Sequence, residues 1–302
     1  MAYPSASGVP SHSGSMHPTI WAGKMLRKFY EATCLSSISN TDYEGLIKAM
    51  GDKVVIRTTP DIDIQDYHKG QTLINQRPEP DTVELLIDKG KYWSFISEDV
   101  DEKQSDYDYE ADWTGDAAKK MKIKIERDIF GDIYADAHAA NSGTTAGKIS
   151  GDINLGTSGA PIVLDPSNVM EYIVDLGVIL DEQDIDQENR GLILPAWVCG
   201  MIKKSDLRDA SLAGDGTSIF RNGSIGMLDR FEVFSSNLLN TVSGKTDIIA
   251  CHKSALTFAN QFVNNESLRA ESTFGTLNRG LSVYGYEVKN PEALVHGVVS
   301  KV

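Results

Sequence analysis

Histidine is the first residue type to weigh for chemistry, because imidazole titrates near neutrality and is the commonest metal ligand. His12 and His17 lie in a Ser-, Pro- and Gly-rich start, His68 lies in a polar stretch, and His138, His252 and His296 stand singly. None shares a ligand spacing such as HExxH with another, so each reads as a surface or core histidine. The three cysteines, Cys34, Cys199 and Cys251, are far apart and odd in number. Without a CxxC pair they suggest neither a disulfide framework nor a zinc knuckle, and the expectation is buried, reduced thiols.

Two further stretches have the residue types of a site but not its spacing. Gly214-Asp215-Gly216-Thr217-Ser218 is glycine-rich like a phosphate loop. It lacks the GK[ST] ending and does not lead from a strand into a helix, so it reads as a surface turn. The acids Asp181, Glu182, Asp184, Asp186 and Glu188 lack the spacing and glycine of a calcium loop and read as a solvated acidic connection. No catalytic, cofactor-binding or metal-binding residue is assigned, and no cofactor is expected.

Composition narrows the classes. The chain has 302 residues, 41% of them apolar and 24% charged, enough for a real core in one elaborate domain or two interleaved lobes. A net charge of -14 argues against a surface that wraps nucleic acid, which needs a basic stripe. There is no export signal and no apolar run long enough to span a bilayer, so the expectation is a protein made in the cytosol with no membrane partner. Residues 1–19 carry almost no large apolar side chains and read as an arm that orders only against a partner.

The elements follow from periodicity. Trp21, Met25, Leu26 and Phe29 have helix-like spacing, and Leu46, Ile47 and Met50 form another short apolar patch. Val54, Ile56, Ile62 and Ile64 alternate with polar residues across Pro60, and the alternation returns at Val83, Leu85 and Ile87, with Trp93 and Phe95 beyond a turn. With a polar stretch at 66–82 between them, these predict a long hairpin with a wet tip. Such a hairpin needs cover from elsewhere, because an isolated one is marginally stable.

From 105 to 138, Ala118, Met121, Ile125, Ile129 and Ile133 recur at steps of three or four, with Lys119, Lys122, Glu126 and Asp132 elsewhere around the helix. This predicts the longest helix of the chain, a spine. The Gly-, Ser- and Thr-rich stretch 139–163 has no packed-core signature. Next comes a helix capped by Asp165 with Val169, Ile173, Leu176 and Leu180 on one face. Then the apolar run 190–202 reads as a buried strand entering a short helix near 201–210. MLDRFEVFSS and KTDIIACH read as strands, SALTFANQF as a helix and RGLSVYGYEVK as the closing strand.

Local runs in this order carry a resemblance. They are Lys69-Gly70 followed by Lys91-Tyr92-Trp93-Ser94-Phe95 and Asp99-Val100-Asp101; Arg190-Gly191-Leu192-Ile193-Leu194-Pro195; Gly223-Ser224-Ile225-Gly226 with Phe231-Glu232-Val233-Phe234-Ser235-Ser236-Asn237; and Arg279 through Val288. From end to end the chain resembles the major capsid protein of tailed bacteriophages, of the HK97-like α+β fold. One departure is Arg230, where many relatives have glycine.

The resemblance implies an N-terminal arm at 1–50, an E-loop hairpin with flanking P-domain strands at 51–104, and a P-domain spine helix with its connection at 105–163. A mainly A-domain segment at 164–276 and a closing strand back to the P-domain at 277–302 complete the expectation. It implies a structural protein, not an enzyme. Copies of the chain would assemble as hexamers and pentamers into an icosahedral virion shell around double-stranded DNA, the DNA being non-specific content. A portal protein is an implied partner, and separate scaffolding and decoration proteins are allowed. Candidate intersubunit contacts are Tyr67, His68, Lys69 and Arg77 at the hairpin tip. Some such shells cross-link an E-loop lysine to an asparagine, but no such pair is identified for Lys69, and ionic contact is expected. The alternatives are an encapsulin-like compartment shell with the same fold and, more distantly, an acidic soluble hydrolase.

Overall fold

The structure, a computed structural model, describes residues 33–43, 53–60, 62–104, 109–205, 226–271 and 273–301. Along the chain come α1 (Leu35–Ile38), β1 (Lys53–Arg57), β2 (Thr82–Leu86), β3 (Lys89–Glu98), α2 (Asp99–Gln104) and the long α3 (Tyr109–Asp132). They are followed by β4 (Ile162–Leu164), α4 (Val169–Glu182), β5 (Arg190–Leu194), α5 (Ala196–Ile202), β6 (Met227–Leu228) and β7 (Phe231–Ser235). The chain ends with β8 (Thr241–Val242), β9 (Lys245–His252), β10 (Leu256–Arg269), β11 (Gly275–Val288) and β12 (Leu294–Lys301).

Strands that are apolar on both faces organise these elements. Successive side chains of a strand point to opposite faces, and in β9 Ile248 and Ala250 enter one core while Ile249 and Cys251 enter another. In β5, Leu192 and Leu194 face the first core and Ile193 the second. Such strands must be covered on both sides. They lie at the centre of a sheet ordered β4-β12-β9-β5-β7-β6, with β8 added on β9. Helix α4 covers one face with Val169, Ile173, Leu176 and Leu180, joined by Val198 and Ile202 of α5. Helix α3 covers the other with Ile125, Ile129 and Phe130.

The same face of α3 also reaches a second sheet, the antiparallel β10-β11-β3, through Leu256, Tyr284 and Val288. Toward its N-terminal end the helix meets β3 through an aromatic group: Trp93 stacks on Phe95 and Trp113 meets Phe95 edge-on. The pair β1-β2 forms a third, two-stranded sheet. Its buried side chains, Ile56 and Leu85, pack with Ile87 and Ala259 against the β10–β11 sheet. That packing requires Gly285, because a Cβ there would lie 1.9 Å from the Leu86 carbonyl oxygen.

Several expectations need correction. The hairpin ladder ends at the Arg57–Thr82 pair, so Ile62 and Ile64 are outside any strand and exposed. The reason is Pro60, Pro78 and Pro80 on the facing arms, which have no N–H to give to a ladder. Trp93 and Phe95 pair with β11, not with the hairpin. SALTFANQF is not a helix: Leu256 onward forms β10, where thirteen residue pairings with β11 outweigh a short helix-like spacing.

The glycine-rich stretch 139–163 is ordered and supplies core residues, Ala146 and Leu155. Left-handed turns at Gly143, Gly147, Gly151 and Gly156 let it fold back on itself, with Ala146 and Ile153 exchanging backbone hydrogen bonds. Helix α4 starts at Val169, not after Asp165. The Asp165 carboxylate accepts the N–H groups of Ser167 and Asn168 and closes the turn before the helix. The short helix near 201–210 instead spans Ala196–Ile202, starting directly after Pro195. The chain does not close at β11, because β12 continues into the larger sheet between β4 and β9.

The two-sheet arrangement depends on the Gly285 approach. Gly285→Ala is expected to lower the unfolding free energy by about 1–3 kcal/mol, the usual range for overpacking, measured by urea denaturation. A midpoint equal to that of the parent would contradict the contact.

Candidate assembly surfaces

Beyond the β1–β2 ladder the chain runs out and back as a ribbon from Thr58 to Asp81, whose described residues are all exposed apart from half-buried Thr58 and Pro60. Few bonds hold its arms together. The Thr58 N–H donates to the Asp81 carbonyl at 2.9 Å. Farther out, the Gln76 side chain accepts from the Asp63 N–H at 3.1 Å and donates to the Asp63 carbonyl at 2.8 Å. At the tip, the Gln71 side chain accepts from the His68 N–H, the Gln71 N–H donates to the His68 carbonyl, and Gly70 takes a left-handed φ of 88°.

Of the four residues singled out from sequence, Tyr67, His68 and Lys69 come together at this tip turn, while Arg77 lies on the returning arm. Sequence reasoning did not count the ribbon's aliphatic residues among the contacts. Ile62, Ile64, Leu73 and Ile74 are 60%, 98%, 67% and 72% exposed, alongside Tyr67. The signal was available: large aliphatic side chains in a proline-bounded stretch that cannot bury them. Covering one such side chain stabilises by roughly 1.5–3 kcal/mol, so a neighbour lying on the ribbon gains several kcal/mol.

The root of the ribbon is firmly tied. The Lys89 ammonium donates to the Tyr286 hydroxyl at 2.8 Å, which donates to Asp132 Oδ2 at 2.5 Å at the end of α3. Burial, with the Asp132 carboxylate adding to it, pushes the Tyr286 phenol well above its ordinary range. Asp128, one turn earlier, pairs with Lys91 of β3 and with Lys124.

The acidic run that begins at the end of α4 is less solvated than its composition suggested. Asp181 bridges Arg190, at 2.8 Å, and Arg230, at 3.0 Å. The Arg190 side chain is buried and also donates to the carbonyls of Ile185 and Asp186, so the acidic loop wraps a guanidinium. Arg230 has a φ of 68°, a left-handed conformation that glycine adopts more readily. Glu182 accepts the N–H groups of Ile149 and Ser150, fixing the tip of the glycine-rich loop, and Ile149 at that tip is 80% exposed.

The chemical candidates stay apart. The three cysteines are free and buried, and burial pushes the Cys251 thiol up to about 12. His68 is at the ribbon tip; His138 accepts the Ala140 N–H; His252 bonds Ser254; and His296 lies 2.9 Å from Asp247. Burial lowers the His252 pKa below its ordinary value. Among the described residues no three His, Cys, Asp or Glu side chains are placed to share a metal ion. His12, His17 and residues 214–218 lie outside the described residues, as do the helix-like patterns at 21–29 and 46–50.

A family model described as phage capsid protein matches residues 81–297. Among solved structures, a chain of Mycobacterium phage Che8 is similar with a TM-score of 0.78 and 24% identity, over 93% of this chain and 97% of that one. The capsid structure of the cyanophage P-SCSP1u gives 0.71 and 14%, over 95% and 93%, and the mature capsid of bacteriophage PhiM1 gives 0.71 and 13%, over 95% and 92%. No curated protein matches the chain in sequence. The fold is the α+β, HK97-like capsid fold that the order of elements implied.

The Glu182 clamp gives a pH prediction. The Ile149 amide, with Ser150 adding to it, holds the Glu182 carboxyl below its ordinary value of 4.5. A depressed carboxylate contributes stability above its unfolded pKa and loses it as pH falls through the folded one. The Ile149 and Ser150 amide resonances should therefore move together with a midpoint below 4.5, a transition that Glu182→Gln removes. A midpoint at or above 4.5 would refute the clamp.

Proposed function

The chain belongs to the phage capsid protein family, and on that premise we propose how it builds a shell. It is a structural coat subunit of the virion, made in the host cytoplasm. Copies associate into hexamers and pentamers that close as an icosahedral head around double-stranded DNA. The ribbon takes the role of the E-loop. The lobe of α3 and β10-β11-β3 acts as the P-domain, and the lobe built on the larger sheet acts as the A-domain. The matched family is one of phage capsid proteins, so the cargo-enclosing compartment is set aside.

The observation that carries the reading is the ribbon itself. A segment with three prolines, few internal bonds and five exposed large apolar side chains is not stabilised within its own subunit. Another copy that covers Ile62, Ile64, Tyr67, Leu73 and Ile74 supplies what is missing, while Lys69 and Arg77 give ionic contacts at the rim. Many modest contacts repeated around a closed assembly sum to a stable shell. The net charge of -14 suits a wall that does not hold the packaged DNA. A portal protein, and separate scaffolding and decoration proteins, are the other partners in this proposal.

Replacing residues 59–80 with Asn-Gly, a dipeptide suited to a tight hairpin, tests the role. The variant is expected to keep the parent's circular dichroism and thermal midpoint but to sediment as free subunits under conditions where the parent forms particles. Normal particles from the shortened chain would sink the assigned role.

A further inference from the structure

The sequence pattern puts Glu126 on the polar side of α3, yet it is 1% exposed. A carboxyl group removed from water needs hydrogen-bond donors in its place. Here they come from a segment 91 and 92 residues earlier: Glu126 accepts the Cys34 N–H at 2.8 Å on Oε1 and the Leu35 N–H at 3.3 Å on Oε2, and the Cys34 thiol donates at 3.4 Å. The match is reciprocal. Cys34 and Leu35 are themselves buried, and no side chain at the start of α1 caps its first N–H groups.

From this anchor, residues 34–43 run as a strap over two strands and the residue that follows a third. Ile38 lies against Gly191 of β5, where a Cβ would come within 2.7 Å of its methyl group. The Asn40 N–H donates to the Leu256 carbonyl, and the Asn40 carbonyl accepts from Phe258, both in β10. Lys289, just past β11, reaches the Tyr43 hydroxyl at 3.3 Å. The strap thus touches both large sheets and α3, and it lies in the chain between residues 1–32 and the ribbon.

We propose that Glu126 is the positioning residue for assembly: it fixes the strap across both large sheets and α3, and so the arrangement of the subunit that a neighbouring copy meets. The role rests on the coat-subunit reading, but its anchor can be measured without assembly. Without Glu126 the lobes retain their own cores, and the strap loses the bonds that set its start.

The experiment compares Glu126→Ala and Glu126→Gln with the parent. Hydrogen exchange is followed in the free subunit, and sedimentation and electron microscopy follow assembly. In Glu126→Ala the Cys34–Ser39 amides should exchange roughly ten- to a hundredfold faster, the loss expected when buried N–H groups lose their acceptor, while β9 and β12 exchange as in the parent. Its particles should be fewer and irregular. Glu126→Gln, which keeps one carbonyl acceptor, should restore closed particles in large part. Unchanged strap exchange in Glu126→Ala overturns the anchor. A released strap with parent-like particles overturns the positioning role and leaves the coat function standing. If Glu126→Ala does not fold, Glu126→Gln decides alone: faster exchange confined to the strap supports the proposal, and equal loosening of strap, β9 and β12 overturns it. A parent that never assembles speaks against the coat reading and leaves the exchange result to judge the anchor.

Discussion

The apolar seam beneath α3 is the contact on which the rest of the subunit depends. Ile125, Ile129 and Phe130 press on Ile193, Ile249 and Cys251 of one sheet and on Leu256, Tyr284 and Val288 of the other. One helix face thereby joins two sheets that share no strand. The seam fixes where β11 runs, β11 carries the ribbon root through the Gly285 approach, and the Lys89–Tyr286–Asp132 chain ties that root back to the helix. A long extension can project from a subunit only if its base is held this firmly.

Outside the seam the subunit leaves contacts incomplete. Cores under α4 and α3 are closed and continuous, whereas the ribbon offers aliphatic side chains to solvent with few bonds between its arms. A capsid protein has reason to be built this way, since interfaces that repeat around a closed shell need not be strong one by one. Prolines 60, 78 and 80 stop the ladder and leave the arms without backbone pairing along most of their length.

Much of this was legible in the residues. The three-and-four spacing of Ala118, Met121, Ile125 and Ile129 revealed α3, and the unbroken run from Leu192 to Leu194 revealed a strand buried on both faces. The ribbon was legible as a hairpin, but alternation at Ile62 and Ile64 outran the ladder, because periodicity does not register missing donors. β10 was mistaken for a helix because its state is decided by pairing with β11, which a short spacing of apolar residues within β10 does not register. β12 was overlooked although Leu294-Val295 and Val298-Val299 have the continuous apolar character of β5. The role of Glu126 was hidden: a glutamate on a helix looks like surface until its donors, some ninety residues earlier, are in place.

The central claim is that the ribbon is completed by another copy, and cleavage by trypsin after Lys69 tests it most directly. Lys69 sits at an exposed turn, so the free subunit should be cut there early and cleanly. In closed particles the same bond should survive conditions that consume the free subunit. Cleavage after Lys69 at the same rate in intact particles as in free subunits would contradict the account.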